Sequence, residues 1–152
     1  MSGDAHAPDP PSTPLVRQAG CVAIGGRGVL IEGPPGSGKS SLALALIDRG
    51  ASLVGDDGVT LHAEGPVLVA SPPPNTRGLI EIRNVGIVSL PCLDRVPVAL
   101  LLRLDSLAPR FVEAPGQTLI AGVSVPSLRL YPESPTLALR AEWALRLHGL
   151  PA

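Results

Sequence analysis

Eight consecutive residues of the chain have the composition of a phosphate-binding loop. They fit G-x-x-x-x-G-K-[ST] in full: Gly33, Pro34, Pro35, Gly36, Ser37, Gly38, Lys39 and Ser40, with Ser41 next. Glycines let backbone N–H groups turn inward around an anion, and the lysine reaches the terminal phosphates of a nucleotide. The hydroxyl of Ser40 would bind Mg²⁺. Lys39 is the only lysine among twelve basic residues, and we expect residues 33–41 to bind nucleotide.

Two adjacent carboxylates, Asp56 and Asp57, form the second chemical feature. At a phosphate site one carboxylate can hold Mg²⁺, and the other can accept a proton from an attacking hydroxyl. The sequence does not decide which aspartate takes which role. The alternative is simple turn chemistry, because Asp-Asp-Gly is a common turn sequence.

A carboxylate and a guanidinium form the third feature. Glu81 and Arg83 are two residues apart in a segment of alternating polarity, so they share one face of a predicted strand. Glu81 would suit a magnesium ligand, and Arg83 would suit stabilisation of phosphoryl charge. The alternative is an exposed surface ion pair of little energetic value.

Predicted elements would bring the first two features together. A strand at 29–32 precedes the loop, a helix at 40–49 follows it and ends at Gly50, and a strand at 51–55 runs into the aspartates. A right-handed crossover would make the two strands parallel, so that both end at the same edge of the sheet. The aspartates would then lie within reach of the terminal phosphate.

The remaining segments complete a single α/β P-loop domain with a mixed sheet. Residues 21–24 form a hairpin partner for 29–32, residues 59–62 pair with 67–70, and the apolar run 98–104 is a central strand covered on both faces. The segments 79–83, 86–90, 119–125 and 128–131 are also predicted strands. Ser134 is the expected N-cap of a last helix, with Pro135 at its first position. We expect residues 1–14 to be a disordered tail and 15–152 to be the domain.

Composition excludes several classes of protein. The net charge of −1 argues against nucleic-acid binding and against a polybasic membrane anchor. The sequence holds no apolar run of spanning length, and its first residues lack the pattern of a secretory signal. Cys21 and Cys92 form no metal motif and are expected to be two buried thiols. These features are typical of a cytoplasmic protein.

Taken in order, these motifs resemble the catalytic domain of HPr kinase/phosphorylase, a bacterial P-loop serine kinase family. The resemblance lies in the phosphate loop, in the aspartate pair at the end of 53–57, and in the 79–87 block LIEIRNVGI. It implies a fold related to that of phosphoenolpyruvate carboxykinase, and ATP- and Mg²⁺-dependent phosphorylation of a serine on the phosphocarrier HPr. It also implies a homo-oligomer, typically a hexamer. The length is similar to short α-proteobacterial forms that lack an N-terminal domain.

The resemblance also implies roles for single residues. Asp56 would transfer the serine proton, Asp57 and Glu81 would lie near the metal with Ser40, and Arg83 would contact the phosphoryl group. Gln18 stands where relatives usually carry a histidine, and Asn84 replaces a usual glycine. The segment 131–135 lacks the arginines of a C-terminal loop in longer members, which casts doubt on the reverse, phosphorylase reaction.

Two other functions remain open on the same scaffold. One is a kinase for small molecules or a nucleotide hydrolase, although an aromatic content of 2% leaves few rings to stack on a base. The other is a non-catalytic sensor or binding module that responds to nucleotide.

Overall fold

The computed structural model describes residues 13–152, which form eleven strands and two α-helices. The elements are β1 (Leu15–Arg17), β2 (Gly20–Ile24), β3 (Arg27–Glu32), α1 (Lys39–Asp48), β4 (Ser52–Gly55), β5 (Val59–Glu64), β6 (Val67–Ser71), β7 (Leu79–Ile82), β8 (Gly86–Ser89), β9 (Val96–Leu104), β10 (Gly116–Ile120), β11 (Val123–Leu130) and α2 (Leu137–His148). The predicted tail at 1–14 falls almost wholly outside the described residues.

Nine strands form one mixed sheet around β9. The order is β1-β5-β6-β9-β3-β2-β4, and the β10–β11 hairpin joins it through β11. β9 is parallel to β3 on one side; on the other it pairs with β6 near its start and with β11 near its end. The fold class predicted from the sequence, an α/β domain with a mixed sheet, is confirmed.

Two apolar clusters cover the two faces of this sheet. Leu100, Leu102 and Leu104 of β9 pack in the cluster that includes both helices, whereas Leu101 packs in the cluster on the opposite face. Because side chains alternate along a strand, a strand buried on both faces needs an uninterrupted apolar run. The predicted central position of residues 98–104 is therefore confirmed.

The predicted strand at 119–125 is wrong, because the chain reverses in its middle. Ile120 pairs with Val123, and the two residues between them, Ala121 and Gly122, have φ of 50° and 81°. Two consecutive positive φ angles are what a tight two-residue hairpin requires. Alanine rarely adopts this conformation, so the turn could not be predicted from the residue types.

The last helix begins later than predicted. α2 starts at Leu137 with Thr136 as N-cap, so Ser134 and Pro135 lie before it. Ser134 still organises the entry, since its hydroxyl accepts a hydrogen bond from the Thr136 N–H at 3.2 Å and its carbonyl accepts one from the Leu137 N–H at 3.2 Å. In the described part of the chain, neither helix is long and apolar enough to cross a membrane.

Candidate functional site

The phosphate loop, residues 33–40, joins the end of β3 to the start of α1. Gly36 and Gly38 have φ of 77° and 98°, a backbone conformation that side chains other than glycine rarely adopt. The loop is closed by a hydrogen bond of 3.1 Å from the Ser37 N–H to the Pro34 carbonyl. This is the strand–loop–helix context that the sequence motif requires, and it presents a helix N-terminus to an anion.

Gly33 is required by close packing rather than by its φ. A Cβ atom at this position would lie 2.5 Å from the Ser37 hydroxyl oxygen and 3.1 Å from the Leu104 Cβ. The Ser37 hydroxyl is buried and has no hydrogen-bond partner among the described residues. The first glycine of the motif therefore lets the loop pack against the end of β9.

The side chain of Lys39 contacts the first residue of the loop. Its ammonium group donates a hydrogen bond of 2.7 Å to the Gly33 carbonyl, so the side chain folds back over the first residue of the loop. A motif lysine serves the β- and γ-phosphates of a nucleotide. The Gly33 end of the loop is thus the end where a terminal phosphate would lie.

Asp56 lies against the start of α1. The Ser40 hydroxyl donates a hydrogen bond of 2.6 Å to Asp56 Oδ1. The reason is topological: β2 is antiparallel to both β3 and β4, so β3 and β4 run in the same direction and end at the same edge. The sequence predicted this shared edge, although it did not predict that β2 would lie between the two strands.

Glu81 approaches the same carboxylate through its backbone. The Glu81 N–H donates a hydrogen bond of 3.0 Å to Asp56 Oδ2, so one aspartate links the phosphate loop to the β7–β8 hairpin. Ile80 of this hairpin is buried in the core, while the Glu81 side chain is exposed on the other face. Three segments that are distant in sequence therefore meet at Asp56.

Asp57 and Arg83 make no hydrogen bond or ion pair with the phosphate loop among the residues that the structure describes. Asp57 is exposed and has φ of 57°, so it diverges from Asp56 within the turn. Arg83 was predicted to end a strand, but that strand ends at Ile82 and Arg83 lies in the hairpin turn. Asn84, in place of the usual glycine, keeps a glycine-like φ of 68° there.

The turn explanation for the aspartate pair also holds. A Cβ atom on Gly55 would lie 2.2 Å from the Gly58 carbonyl oxygen, so the chain around the pair is tightly folded. The same tight turn aims Asp56 at Ser40. The structural and the chemical interpretations of this segment are therefore compatible.

A charged cluster beside the loop was not predicted from the sequence. Glu32, at the end of β3, contacts the guanidinium of Arg17, and its Oε1 lies 3.5 Å from Arg103 Nε. A cavity of about 530 Å³, here called the edge cavity, is lined by Gln18, residues 32–34 and residues 103–106. The one available signal was Arg103, the only charged residue in the apolar run of β9.

The two cysteines are free thiols with different environments. Cys21 is fully buried, and its burial raises the pKa of the thiol to about 12, while Cys92 is half-buried. The expectation of two buried thiols is thus confirmed for Cys21 only.

Known proteins are similar to this chain in sequence. The family described as HPr Serine kinase C-terminal domain matches residues 14–93. An HPr kinase/phosphorylase of Clostridium acetobutylicum is 47% identical over 72 residues, which make up 47% of this chain and 24% of that protein. One of Nitrosomonas europaea is 43% identical over 77 residues, 50% of this chain and 24% of that protein. The chain therefore spans about a quarter of the length of the curated relatives it matches.

A solved structure extends the similarity to the second half of the chain. The structure of the Hpr(Ser) kinase/phosphatase from Coxiella burnetii is similar to this chain, with a TM-score of 0.78 and 32% sequence identity. The match covers 87% of this chain and 88% of that one. The family model covers more than half of the chain, including the phosphate loop and the aspartate turn, and the chain belongs to the HPr Serine kinase C-terminal domain family.

Proposed function

We propose that this chain is an ATP-dependent serine kinase whose substrate is the phosphocarrier protein HPr. The observation that carries the proposal is the junction at Asp56, which joins Ser40 of the phosphate loop to the backbone of Glu81. A carboxylate in that position can act on a hydroxyl brought up to a terminal phosphate. Relatives named HPr kinase/phosphorylase support the choice of substrate.

The proposed reaction is an in-line displacement at the γ-phosphorus. The serine oxygen forms a bond to phosphorus while the bond to the β–γ bridging oxygen breaks, and ADP keeps that electron pair. Asp56 accepts the proton that the serine hydroxyl loses. Lys39 balances charge on the β- and γ-phosphates. Arg83, in the turn of the β7–β8 hairpin, contacts the transferring phosphoryl group when HPr is bound.

The residues around Ser40 fit a magnesium ion. The Ser40 hydroxyl is a hard oxygen donor, which Mg²⁺ prefers, and its partner Asp56 links it to the segments that carry the exposed carboxylates of Asp57 and Glu81. Among the described residues no group of three or more His, Cys, Asp or Glu side chains could form a metal site by itself. Kinase sites commonly use one or two carboxylates and complete the shell with substrate phosphates and water. We propose Ser40, Asp57 and Glu81 as the metal-side groups, where the ion would neutralise charge on the phosphates.

A phosphorylation assay tests the proposal. The purified chain is mixed with HPr, Mg²⁺ and ATP that is labelled in the γ-phosphate. We expect label on a serine of HPr, with no label when Mg²⁺ is chelated. A folded protein that binds ATP but leaves HPr unlabelled would reject it. Titrating Mg²⁺ with Asp57→Asn and Glu81→Gln tests the metal-side assignment: both should need more Mg²⁺ for half-maximal rate, whereas Asp56→Asn should not be restored by Mg²⁺.

A non-catalytic nucleotide sensor is the second candidate. Gln18, which lines the edge cavity, cannot exchange a proton as a histidine would, and this observation favours the second candidate. It predicts tight ATP binding without phosphoryl transfer, and no change in ATP binding on Asp56→Asn.

We further propose that residues 15–152 form the functional domain, that this domain works as a homo-oligomer, and that it acts on HPr in the cytoplasm.

A further inference from the structure

The edge cavity lies at the γ-phosphate end of the loop. It is bounded by Gly33 and Pro34, the first two loop residues, and Lys39 places its ammonium on the Gly33 carbonyl. At about 530 Å³ it is large enough for several side chains and not only for water. Whatever receives the phosphoryl group from a nucleotide in the loop would lie in or beside this cavity.

Arg103 stands on the wall of the cavity with unused hydrogen-bonding capacity. In register it pairs with Glu32 of β3 and with Arg129 of β11, and it points away from the helices because Leu102 and Leu104 point toward them. A guanidinium carries five N–H donors. The contacts of Arg103 are long: 3.5 Å to Glu32 Oε1 and 3.3 Å to Thr118 Oγ1.

The neighbouring carboxylates, Glu32 and Asp105, make no close ion pair with Arg103. Glu32 is already in close contact with Arg17, so its single negative charge faces two guanidinium groups. Asp105 makes no ion pair with Arg103: its Oδ1 accepts a hydrogen bond of 2.8 Å from the Leu107 N–H, and its Oδ2 lies 3.5 Å from Arg129 Nη1. Arg103 is 40% exposed, so a ligand in the cavity can reach it. A planar guanidinium in this position is suited to bidentate recognition of a phosphate group.

We propose that Arg103, on the wall of the edge cavity, binds the phosphoryl group once that group has been transferred to the acceptor serine. This inference rests on the proposed kinase function and adds a residue that neither the loop motif nor the aspartate pair contains. Arg103 then holds the phosphoserine of the product from the wall of the edge cavity. It should therefore discriminate between phosphorylated and unphosphorylated HPr.

Binding measurements on the full chain test this proposal. HPr is first phosphorylated by the wild-type chain, and dissociation constants are measured for both HPr forms and for ATP. In Arg103→Met we expect phosphorylated HPr to bind about tenfold more weakly or worse, as expected for loss of a charge-assisted pair. Unphosphorylated HPr and ATP should change by less than about twofold, a pattern that general structural damage would not give.

Arg95→Met is the matched control, because Arg95 precedes the first residue of the same strand and lies far from the cavity. It should bind all three ligands as the wild type does. Equal binding of phosphorylated HPr by Arg103→Met and wild type, or equal weakening of all three ligands, would overturn the proposal. If Arg103→Met does not fold, Arg103→Lys should still weaken phosphorylated HPr selectively, and wild-type affinity there is contradictory. A wild-type chain that cannot phosphorylate HPr at all overturns the proposed function and this inference with it.

Discussion

The two ends of the central strand β9 use the same residue type differently. Arg95, just before the strand, contacts Glu64, whose other oxygen lies 2.6 Å from His62 Nε2. Both carboxylate oxygens are thus engaged, and the hydrogen bond from Arg95, followed by that from His62, lowers the pKa of Glu64. Arg103, at the other end, has only the two long contacts described above.

This difference separates a closed surface network from an open site. At the Arg95 end, Arg95 and His62 each contact one oxygen of Glu64, so both oxygens of this carboxylate already have partners. At the Arg103 end the edge cavity adjoins the first residues of the phosphate loop, and the side chain of Arg103 on its wall has no polar contact shorter than 3.3 Å within the described chain. We infer that ligand chemistry is confined to the carboxyl edge of the parallel strands, as is general for open α/β sheets.

Replacing Lys39 should give the largest effect at the carboxyl edge. Lys39→Met removes the ammonium group that serves the terminal phosphates, and we expect ATP affinity to fall about a hundredfold. The fold should survive, because the one hydrogen bond lost within the described chain is to the Gly33 carbonyl. Equilibrium dialysis with ATP measures the loss. Arg95→Met is the control, and an equal loss there would erase the contrast between the two ends.

Alanine substitutions at two glycines compare how closely the backbone is packed in the two regions. Gly55→Ala would place a Cβ 2.2 Å from a backbone oxygen, so we expect a loss of about 2 kcal/mol in the free energy of unfolding. Gly65, in the turn after Glu64, has φ of 61° and open space around it, so Gly65→Ala should cost only about 1 kcal/mol of conformational strain. Urea titration measures both. A larger cost at Gly65 would contradict the comparison.

The buried thiol of Cys21 makes stability depend on alkaline pH. Its pKa is raised from 9.0 to about 12, so between these values the folded state keeps a proton that the unfolded chain has lost. Stability should therefore fall as pH rises through this window, by about 1 kcal/mol per pH unit. Urea unfolding across this window should show a steeper decline for wild type than for Cys21→Ala. Parallel slopes would show that Cys21 does not carry the effect.

Replacing Glu64, which contacts both Arg95 and His62, should give the smallest effect. Because the folded-state pKa of Glu64 lies below its ordinary value of 4.5, its ion pairs contribute above that pH and are lost as pH falls through the folded value. Glu64→Gln should lower the urea midpoint slightly at neutral pH and not at all in strong acid. ATP binding should be unchanged. A clear loss of ATP binding would mean that the Arg95 end communicates with the site.

Local patterns explain which parts of this structure were predictable. The phosphate loop and its flanking strand and helix follow from glycine conformations and an eight-residue motif. Asp56 could be placed because chain direction and crossover hand decide at which edge a strand ends. In each case the deciding information lies within about thirty residues.

The features that escaped prediction depend on register or on unusual backbone angles. Arg103 meets Glu32 only because β9 aligns with β3 in one register, and no local pattern encodes that alignment. The hairpin at Ala121 needed an alanine with positive φ. Arg83 left its predicted strand because Asn84 adopts the left-handed conformation and turns the chain one residue early.

Phosphoryl transfer by Asp56→Asn tests the central claim most directly. Asparagine has nearly the same shape but cannot accept the serine proton, so the variant should bind ATP like wild type. It should label HPr at least about a hundredfold more slowly. A variant that phosphorylates HPr at the wild-type rate would contradict the assignment of this junction as the reaction centre.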